Sequence, residues 1–163
     1  MIRKAIPDDA KKICEIYNYY IVNTQISFEE EPVTGDEMRQ RIESVTKDYP
    51  WLVHEIDGEI LGYAYAARWK TRSAYRFCVE STVYVKHGIT GKGIGSGLYS
   101  QLFKELETRS VHVVVGTIAL PNEKSQALHE KFGFKKAAHL SQVGFKFGRW
   151  VDVGYWELLL YKD

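Results

Sequence analysis

Two kinds of residue in this chain have types and spacing that could do chemistry, and the first is a run of glycines. The segment Val83-Tyr84-Val85-Lys86-His87-Gly88-Ile89-Thr90-Gly91-Lys92-Gly93-Ile94-Gly95-Ser96-Gly97 places five of the chain's thirteen glycines within ten positions. Glycine lets a backbone come close to a ligand, and N–H groups at a helix start form an anion site that the helix dipole strengthens. That combination suits a pyrophosphate. Two familiar phosphate loops fail by spacing. Gly93 follows Lys92, where the nucleotide-triphosphate loop requires Ser or Thr. A dinucleotide fingerprint beginning at Gly91 would meet Ser96 where its third glycine belongs, and the loop does not follow the first strand. A bare glycine cluster also fits a flexible turn with a helix cap.

The second kind is titratable or charged. In residues 79–85, Glu80, Thr82 and Tyr84 share one face of a strand, while Val79, Ser81, Val83 and Val85 share the other. A carboxylate kept from water accepts a proton near neutral pH; a solvated surface carboxylate fits the same pattern. His129 has the side chain that titrates in the working range and suits either proton task, or it is an ordinary helix histidine. Lys70 and Arg72 are two apart and point the same way in an extended segment. With Tyr75 they suit the anionic oxygens of a substrate, Arg72 by a two-pronged contact, or they are two solvated loop cations. Phe28 stands among polar neighbours and either closes a pocket or anchors the core. His54, His87, His112 and His139 show no metal-type spacing, so no metal is expected.

These residues need elements to position them. Residues 2–6 read as a short strand stopped by Pro7, after which Asp8 or Asp9 caps a helix carrying Ile13, Ile16, Tyr17 and Tyr20. A loop at 24–32 holds Phe28. Thr34-Gly35-Asp36-Glu37 is a capping box that opens a second helix to about residue 47, with Met38, Ile42 and Val45 on its apolar side. Residues 51–56 and 59–69 are β-rich runs joined by Asp57-Gly58, a hairpin signal. Residues 75–85 form a further strand, followed by the glycine loop and a helix over 94–106. Its Ile94, Leu98, Leu102 and Leu106 are spaced by four, as one helix face requires. Residues 111–118 are nearly all apolar and β-branched, the pattern of a strand covered on both sides. A helix over 122–132 ends at Gly133, and 134–140 and 150–161 are the last strands. The order is βααβββαβαββ, an α/β fold with a mixed sheet.

Composition narrows the function. At 163 residues, with 45% hydrophobic and 26% charged residues, the chain reads as a single globular domain, 1–163, able to bury its own core. A net charge of +1 offers no electrostatic reason for a nucleic-acid or membrane-surface partner. Cys14 and Cys78 lie far apart without a Cys/His cluster, so they read as small apolar residues in a reducing compartment. No apolar run suits a signal peptide or a membrane span, and a cytoplasmic protein is expected.

Thr90-x-x-Gly93-x-Gly95 resembles the coenzyme A loop of the GNAT N-acetyltransferase superfamily, Gln/Arg-x-x-Gly-x-Gly/Ala, with Thr90 where Gln or Arg is usual. Residues 122–134, Asn-Glu-Lys-Ser-Gln-Ala-Leu-His-Glu-Lys-Phe-Gly-Phe, resemble the superfamily's Asn-x-x-Ser…Leu-Tyr-x-x-x-Gly-Phe helix and following strand. Residues 49–53, 69–75, 79–85, 128–130 and 148–156 resemble the phosphinothricin acetyltransferases, so the likeness covers nearly the whole chain. It implies a mostly antiparallel sheet flanked by helices, and acetyl-CoA as co-substrate without a metal. The implied activity is acetylation of the α-amine of phosphinothricin, methionine sulfoximine or methionine sulfone, which confers resistance to them.

The resemblance also implies roles. Glu80 is the general base, directly or through water, and His129 stands where the superfamily has a Tyr that protonates the departing thiolate. Backbone groups of Val83, Tyr84 and Val85 pair with the pantetheine arm, and Gly91, Lys92, Gly93, Ile94, Gly95 and Ser96 cradle the pyrophosphate. With backbone amides carrying that contact, Thr90 weakens it only modestly. Asn122 offers its amide to the same arm, or caps its helix, or both. Phe28, Lys70, Arg72 and Tyr75 bind the substrate. Trp150, Tyr155 and Trp156 supply core and a homodimer contact. The rival readings are an acetyltransferase of the same fold acting on a peptide N-terminus or a polyamine, and a non-catalytic acetyl-CoA-binding module. A polyamine site would present clustered carboxylates, whereas Lys70 and Arg72 point to an anion; a binding module could lose Glu80 and His129.

Overall fold

In the computed structural model, which describes residues 1–89 and 91–160, eleven elements follow the expected order. They are β1 (Ile2–Lys4), α1 (Ala10–Asn23), α2 (Gly35–Thr46), β2 (Trp51–Ile56), β3 (Glu59–Arg68), β4 (Cys78–Val85), α3 (Ile94–Glu107), β5 (Val113–Leu120), α4 (Glu123–Lys131), β6 (Lys135–Lys146) and β7 (Arg149–Leu159). The strands form one seven-stranded sheet in the order β1-β2-β3-β4-β5-β7-β6. Every described pairing is antiparallel except β4 with β5. Thr90, and Tyr161 at the expected end of the last strand, lie outside the described residues.

Each face of the sheet is covered because each helix has one apolar side. On one face Leu98, Leu102 and Leu106 of α3 are fully buried against Val79 of β4, Val114 of β5 and Trp156 of β7. On the other, Ile13, Ile16 and Ile21 of α1 and Met38 and Ile42 of α2 pack on Trp51 and Val53 of β2 and Tyr63 of β3. Burying a side chain of this size stabilises by about 1.5–3 kcal/mol, so the two layers hold the sheet between them. The β2–β3 turn takes the expected residues, Asp57 and Gly58, at φ of 50° and 77°.

Apart from shifts of one or two residues at several ends, such as β5 at Val113–Leu120 instead of 111–118, three features differ from the sequence reading. Asp9 occupies the N-cap position of α1, but its side chain makes no capping hydrogen bond to that helix. Its carboxylate instead accepts from the Ile6 amide at 2.9 Å and from Nη1 and Nη2 of Arg3, at 2.8 and 2.9 Å, and Pro7–Asp9 forms a single 3-10 turn. β4 starts at Cys78, because Ser73–Tyr75 is another 3-10 turn. β6 runs on to Lys146 instead of stopping near residue 140. Its register against β7 slips between Leu140 and Gly144, where Gln142 takes a φ of 56° and its amide donates to Asp152 Oδ1 at 2.8 Å. Such a bulge breaks the alternation that a strand is read from.

The capping box forms as expected. The Glu37 amide donates to Thr34 Oγ1 at 3.2 Å, and the Thr34 amide donates to Glu37 Oε2 at 2.7 Å. Thr34→Ala is expected to lower stability by about 1 kcal/mol, read as a shifted urea midpoint with an unchanged slope.

Candidate active site

The two parallel strands at the centre of the sheet share only three pairs: Cys78 with Val113, Val79 with Val114 and Glu80 with Val115. β4 stays paired to β3 as far as Val85, and β5 stays paired to β7 as far as Leu120. From Glu80 onward the strands therefore part, and one edge of residues 81–85 faces a gap instead of a neighbour. The gap belongs to a cleft of about 1370 Å³ lined by both strands, α1, α3, α4 and the α1–α2 segment. Backbone amides and carbonyls on an unpaired edge take an extended ligand as they would another strand. Val83, Tyr84 and Val85 all line it, and the Val85 carbonyl already accepts from Tyr20 Oη at 2.5 Å.

At the outer end of the gap the glycine loop meets α3. Gly91 and Gly93 have φ of 87° and 78°, in the left-handed region that side chains resist, and a Cβ at either would meet nothing within 4 Å. Backbone conformation, not crowding, requires glycine there. Gly93 is the N-cap of α3, so the first amides of that 14-residue helix point outward unpaired, with the positive end of its dipole behind them. Gly91, Gly93, Ile94, Gly95 and Ser96 line the cleft; Lys92 is exposed beside it, and Lys131 Nζ donates to Ser96 Oγ at 3.2 Å. This arrangement fits a phosphate-bearing ligand. Asn122 lines the same wall and caps α4, its Oδ1 accepting from the Ser125 amide at 3.2 Å.

At the inner end, titratable groups sit on both faces of the parted strands. Glu80 is half-buried on the α1 side, its Oε2 accepting from Thr117 Oγ1 of β5 at 2.7 Å. On the α3 side His129 is only 3% exposed, so it is not the surface histidine its helix suggested. Its Nδ1 lies 2.7 Å from the Ser125 carbonyl, which can only accept, so Nδ1 carries the proton and Nε2 accepts. The partner of Nε2 is Tyr99 Oη at 3.0 Å, and Ser81 Oγ lies 3.2 Å from the same hydroxyl. A chain therefore runs from Ser81 through Tyr99 and His129 to the Ser125 carbonyl. Burial pushes the imidazole below its usual range, and the Ser125 carbonyl only partly offsets this, so the ring is neutral at pH 7. The Cδ2–Nε2 edge of the ring rests against β5: a Cβ at Gly116 would come within 2.6 Å of both atoms.

Near Glu80 the cleft is also lined by an aromatic floor. Trp51 stacks on Tyr65 at 4.0 Å, and Tyr84 lies 5.7 Å from Tyr63 and 5.1 Å from Tyr17. Glu29 crosses one side, receiving Arg41 through Nη1 and Nη2 at 2.9 and 2.5 Å and the hydroxyl of Tyr17. The Arg41 guanidinium holds the Glu29 carboxyl below its usual range. Phe28 lines the cleft, 42% exposed, its ring against Gly144 of β6.

Lys70, Arg72 and Tyr75 do not line this chain's cleft. The segment between β3 and β4 is not extended, as their proposed alignment required. Lys70 Nζ lies over the Trp69 ring at 5.1 Å, Tyr75 packs edge-on to Trp69 at 5.3 Å, and Arg72 leads into the 3-10 turn. All three are exposed at the end of the sheet where Glu80 enters. Thr117, Tyr99, Ser81, Glu29 and Arg41 were not singled out in the sequence. Thr117 left a signal, as the one polar side chain in the run VVVGTIAL; Tyr99 sits amid core leucines and left none. Among the described residues no group of three or more His, Cys, Asp or Glu could hold a metal.

Residues 2–154 match the family model described as acetyltransferase (GNAT) domain. The chain is 43% identical to a phosphinothricin N-acetyltransferase of Streptomyces viridochromogenes over 96% of its own length and 85% of that protein's. It is 37% identical to an L-methionine sulfoximine/L-methionine sulfone acetyltransferase of Salmonella typhimurium, over 98% and 94%. Among solved structures it is similar to a GNAT-superfamily phosphinothricin acetyltransferase of Sinorhizobium meliloti in complex with AcCoA. The TM-score is 0.94 and the identity 34%, covering 98% of this chain and 87% of that one.

The buried neutral imidazole has a consequence for stability. The unfolded chain protonates His129 near pH 6.5, the folded chain only at lower pH, so stability falls as pH drops below about 6.5 and is unaffected above it. His129→Gln is expected to remove up to about 1.4 kcal/mol per pH unit of that slope, measured as Tm between pH 7.5 and 5 in both proteins.

Proposed function

The chain belongs to the GNAT acetyltransferase family, and from that premise we propose that it transfers the acetyl group of acetyl-CoA to the α-amine of phosphinothricin, methionine sulfoximine or methionine sulfone. One observation supports this above the others: β4 and β5 part at Glu80, which leaves a strand edge open between a carboxylate and the glycine-capped start of α3. The edge suits pantetheine, the helix start suits the pyrophosphate, and the carboxylate stands where the two substrates would meet. Gly91, Lys92, Gly93, Ile94, Gly95 and Ser96 would hold the phosphates, and Val83, Tyr84, Val85 and Asn122 the arm. Acetyl-CoA supplies the activated thioester.

An ammonium has no lone pair to attack with, so Glu80 first takes its proton. Thr117 fixes the Glu80 rotamer through Oε2, and Oε1 faces the amine. Amides on the open edge of β4 steady the charge that gathers on the thioester oxygen. The attacking nitrogen releases a second proton as the C–S bond breaks, and the departing thiolate takes up one proton to leave as the thiol. His129 assists through Tyr99, whose hydroxyl stands between it and Ser81.

The acceptor is read as a small anion. Glu29 and Glu80 both line the cleft, but Glu29 is neutralised by its two-pronged pair with Arg41, so the wall lacks the clustered carboxylates that a polyamine requires. Lys70, Arg72 and Tyr75 lie outside this chain's cleft, exposed at the end of the sheet where Glu80 enters, and would contribute cationic and aromatic groups only to an acceptor that extends that far, while Phe28 bounds the pocket. We further propose a homodimer through the β6–β7 hairpin, which exposes Val143 (56%), Phe145 (56%), Phe147 (57%) and Trp150 (64%). Among the described residues no helix is long and apolar enough to cross a membrane. We place the enzyme in the cytoplasm with its co-substrate, conferring resistance to these analogues.

The test is thiol release from acetyl-CoA with phosphinothricin, methionine sulfoximine, methionine sulfone, glutamate and spermidine. Turnover of the first three with little on the last two is expected; turnover of spermidine alone would overturn the acceptor assignment. Glu80→Gln is expected to lower kcat by roughly 10²–10⁴-fold with acetyl-CoA affinity unchanged, and wild-type turnover in that variant would remove Glu80 as the base.

A further inference from the structure

Lys146 ends β6 and is 1% exposed, in a class of side chain almost never fully buried without a counter-charge. Among the described residues no carboxylate lies within ion-pair distance of it. Its ammonium instead donates to two carbonyls, Ile21 O and Ser27 O, each at 2.7 Å, and lies 5.0 Å from the centre of the Phe147 ring. Ile21 is in the last turn of α1, where carbonyls lack helix partners and the dipole favours a cation. Ser27 belongs to the segment that follows. Burying an ammonium without a contacting carboxylate is costly, only partly offset by Glu30 and Glu29 at longer range, so its role is read from what those two carbonyls hold in place.

They hold the acceptor wall. Ser27, Phe28 and Glu29 line the cleft, whereas Lys146 does not. Two further contacts join the same pieces: Gln25 Nε2 donates to the Lys146 carbonyl at 3.2 Å, and the Phe28 ring rests on Gly144, where a Cβ would overlap it. Within the segment, Ser27 Oγ lies 2.8 Å from Tyr17 Oη and accepts from the Glu29 amide at 3.2 Å. We infer that Lys146 is a positioning residue for the amine acceptor, its buried ammonium strapping residues 24–29 to the β6–β7 hairpin so that Phe28 and Glu29 keep their places beside Glu80. This rests on the reading of that end of the cleft as the acceptor site. The Lys146 ammonium itself bonds to the carbonyls of Ile21 and Ser27, and the strap meets β4 of the acetyl-CoA end through Tyr17, whose ring lies 5.1 Å from that of Tyr84.

Lys146→Met keeps the length and removes the donors. Hydrogen exchange of residues 24–29 is expected to quicken by roughly tenfold or more, the lower end for losing two charge-assisted hydrogen bonds. The KM for the acceptor that the wild type turns over should rise by a similar factor, roughly tenfold, with the KM for acetyl-CoA within about twofold. Lys146→Gln, which retains one donating group, should fall between the two proteins and decides the matter should the Met variant not fold. Equal shifts for both substrates would reduce Lys146 to a structural prop, and unchanged exchange at 24–29 would overturn the strap. The exchange readout needs no substrate, so a wild type that acetylates none of the analogues would defeat the acceptor assignment while leaving the strap to be judged on exchange alone.

Discussion

Everything about this site depends on two neighbouring strands that stop being neighbours. β4 and β5 run parallel and pair over three residues, and each then follows its other partner, β4 with β3 and β5 with β7. An interrupted ladder in the middle of a sheet leaves backbone donors and acceptors without partners, which a folded chain tolerates only where water or a ligand can reach them. The cost is borne by the two apolar layers, which grip the sheet on both faces whether or not its centre is closed. The same parting brings the start of α3, whose glycine cap frees the first amides of the helix, to the outer end of the gap.

Because side chains alternate along a strand, the parting also divides the chemistry. Glu80 and Thr117 stand on the α1 side with the aromatic floor, while Ser81, Tyr99 and His129 stand on the α3 side inside the core. The two groups differ in solvent. Glu80 is half-buried at the cleft wall, in reach of an incoming amine, whereas His129 is enclosed, neutral, and engaged at both ring nitrogens. The division of labour we propose rests on this difference in burial: the accessible carboxylate would exchange protons with the acceptor, and the enclosed histidine would act through the tyrosine hydroxyl that it holds.

Much of the architecture was legible because it rests on local rules. The capping box at Thr34, the four-residue spacing of Leu98, Leu102 and Leu106, and the Asp57-Gly58 turn each name their element without help from the rest of the chain. What escaped was set by distant contacts. Asp9 looked like a helix cap until Arg3 and Ile6 claimed its carboxylate. Lys70 and Arg72 looked aligned until a 3-10 turn displaced the strand. Glu29 with Arg41, and Lys146 with Ile21 and Ser27, join residues 12 to 125 positions apart, and no periodicity marks such pairs. His129 was visible as a residue but not as a buried one, since the only hint was Gly116, thirteen positions away on a neighbouring strand and carrying no side chain.

The central claim is that the gap between β4 and β5 receives the pantetheine arm and the start of α3 the pyrophosphate. It is tested most directly by titrating the ¹⁵N-labelled protein with acetyl-CoA and following every backbone amide. The account predicts the largest shifts, with new protection from exchange, at residues 81–85 of β4 and 91–96 of the loop, while β1 and β2 stay unmoved. Saturable binding that leaves residues 81–85 unchanged would contradict it, because the open strand edge would then not be what holds the co-substrate.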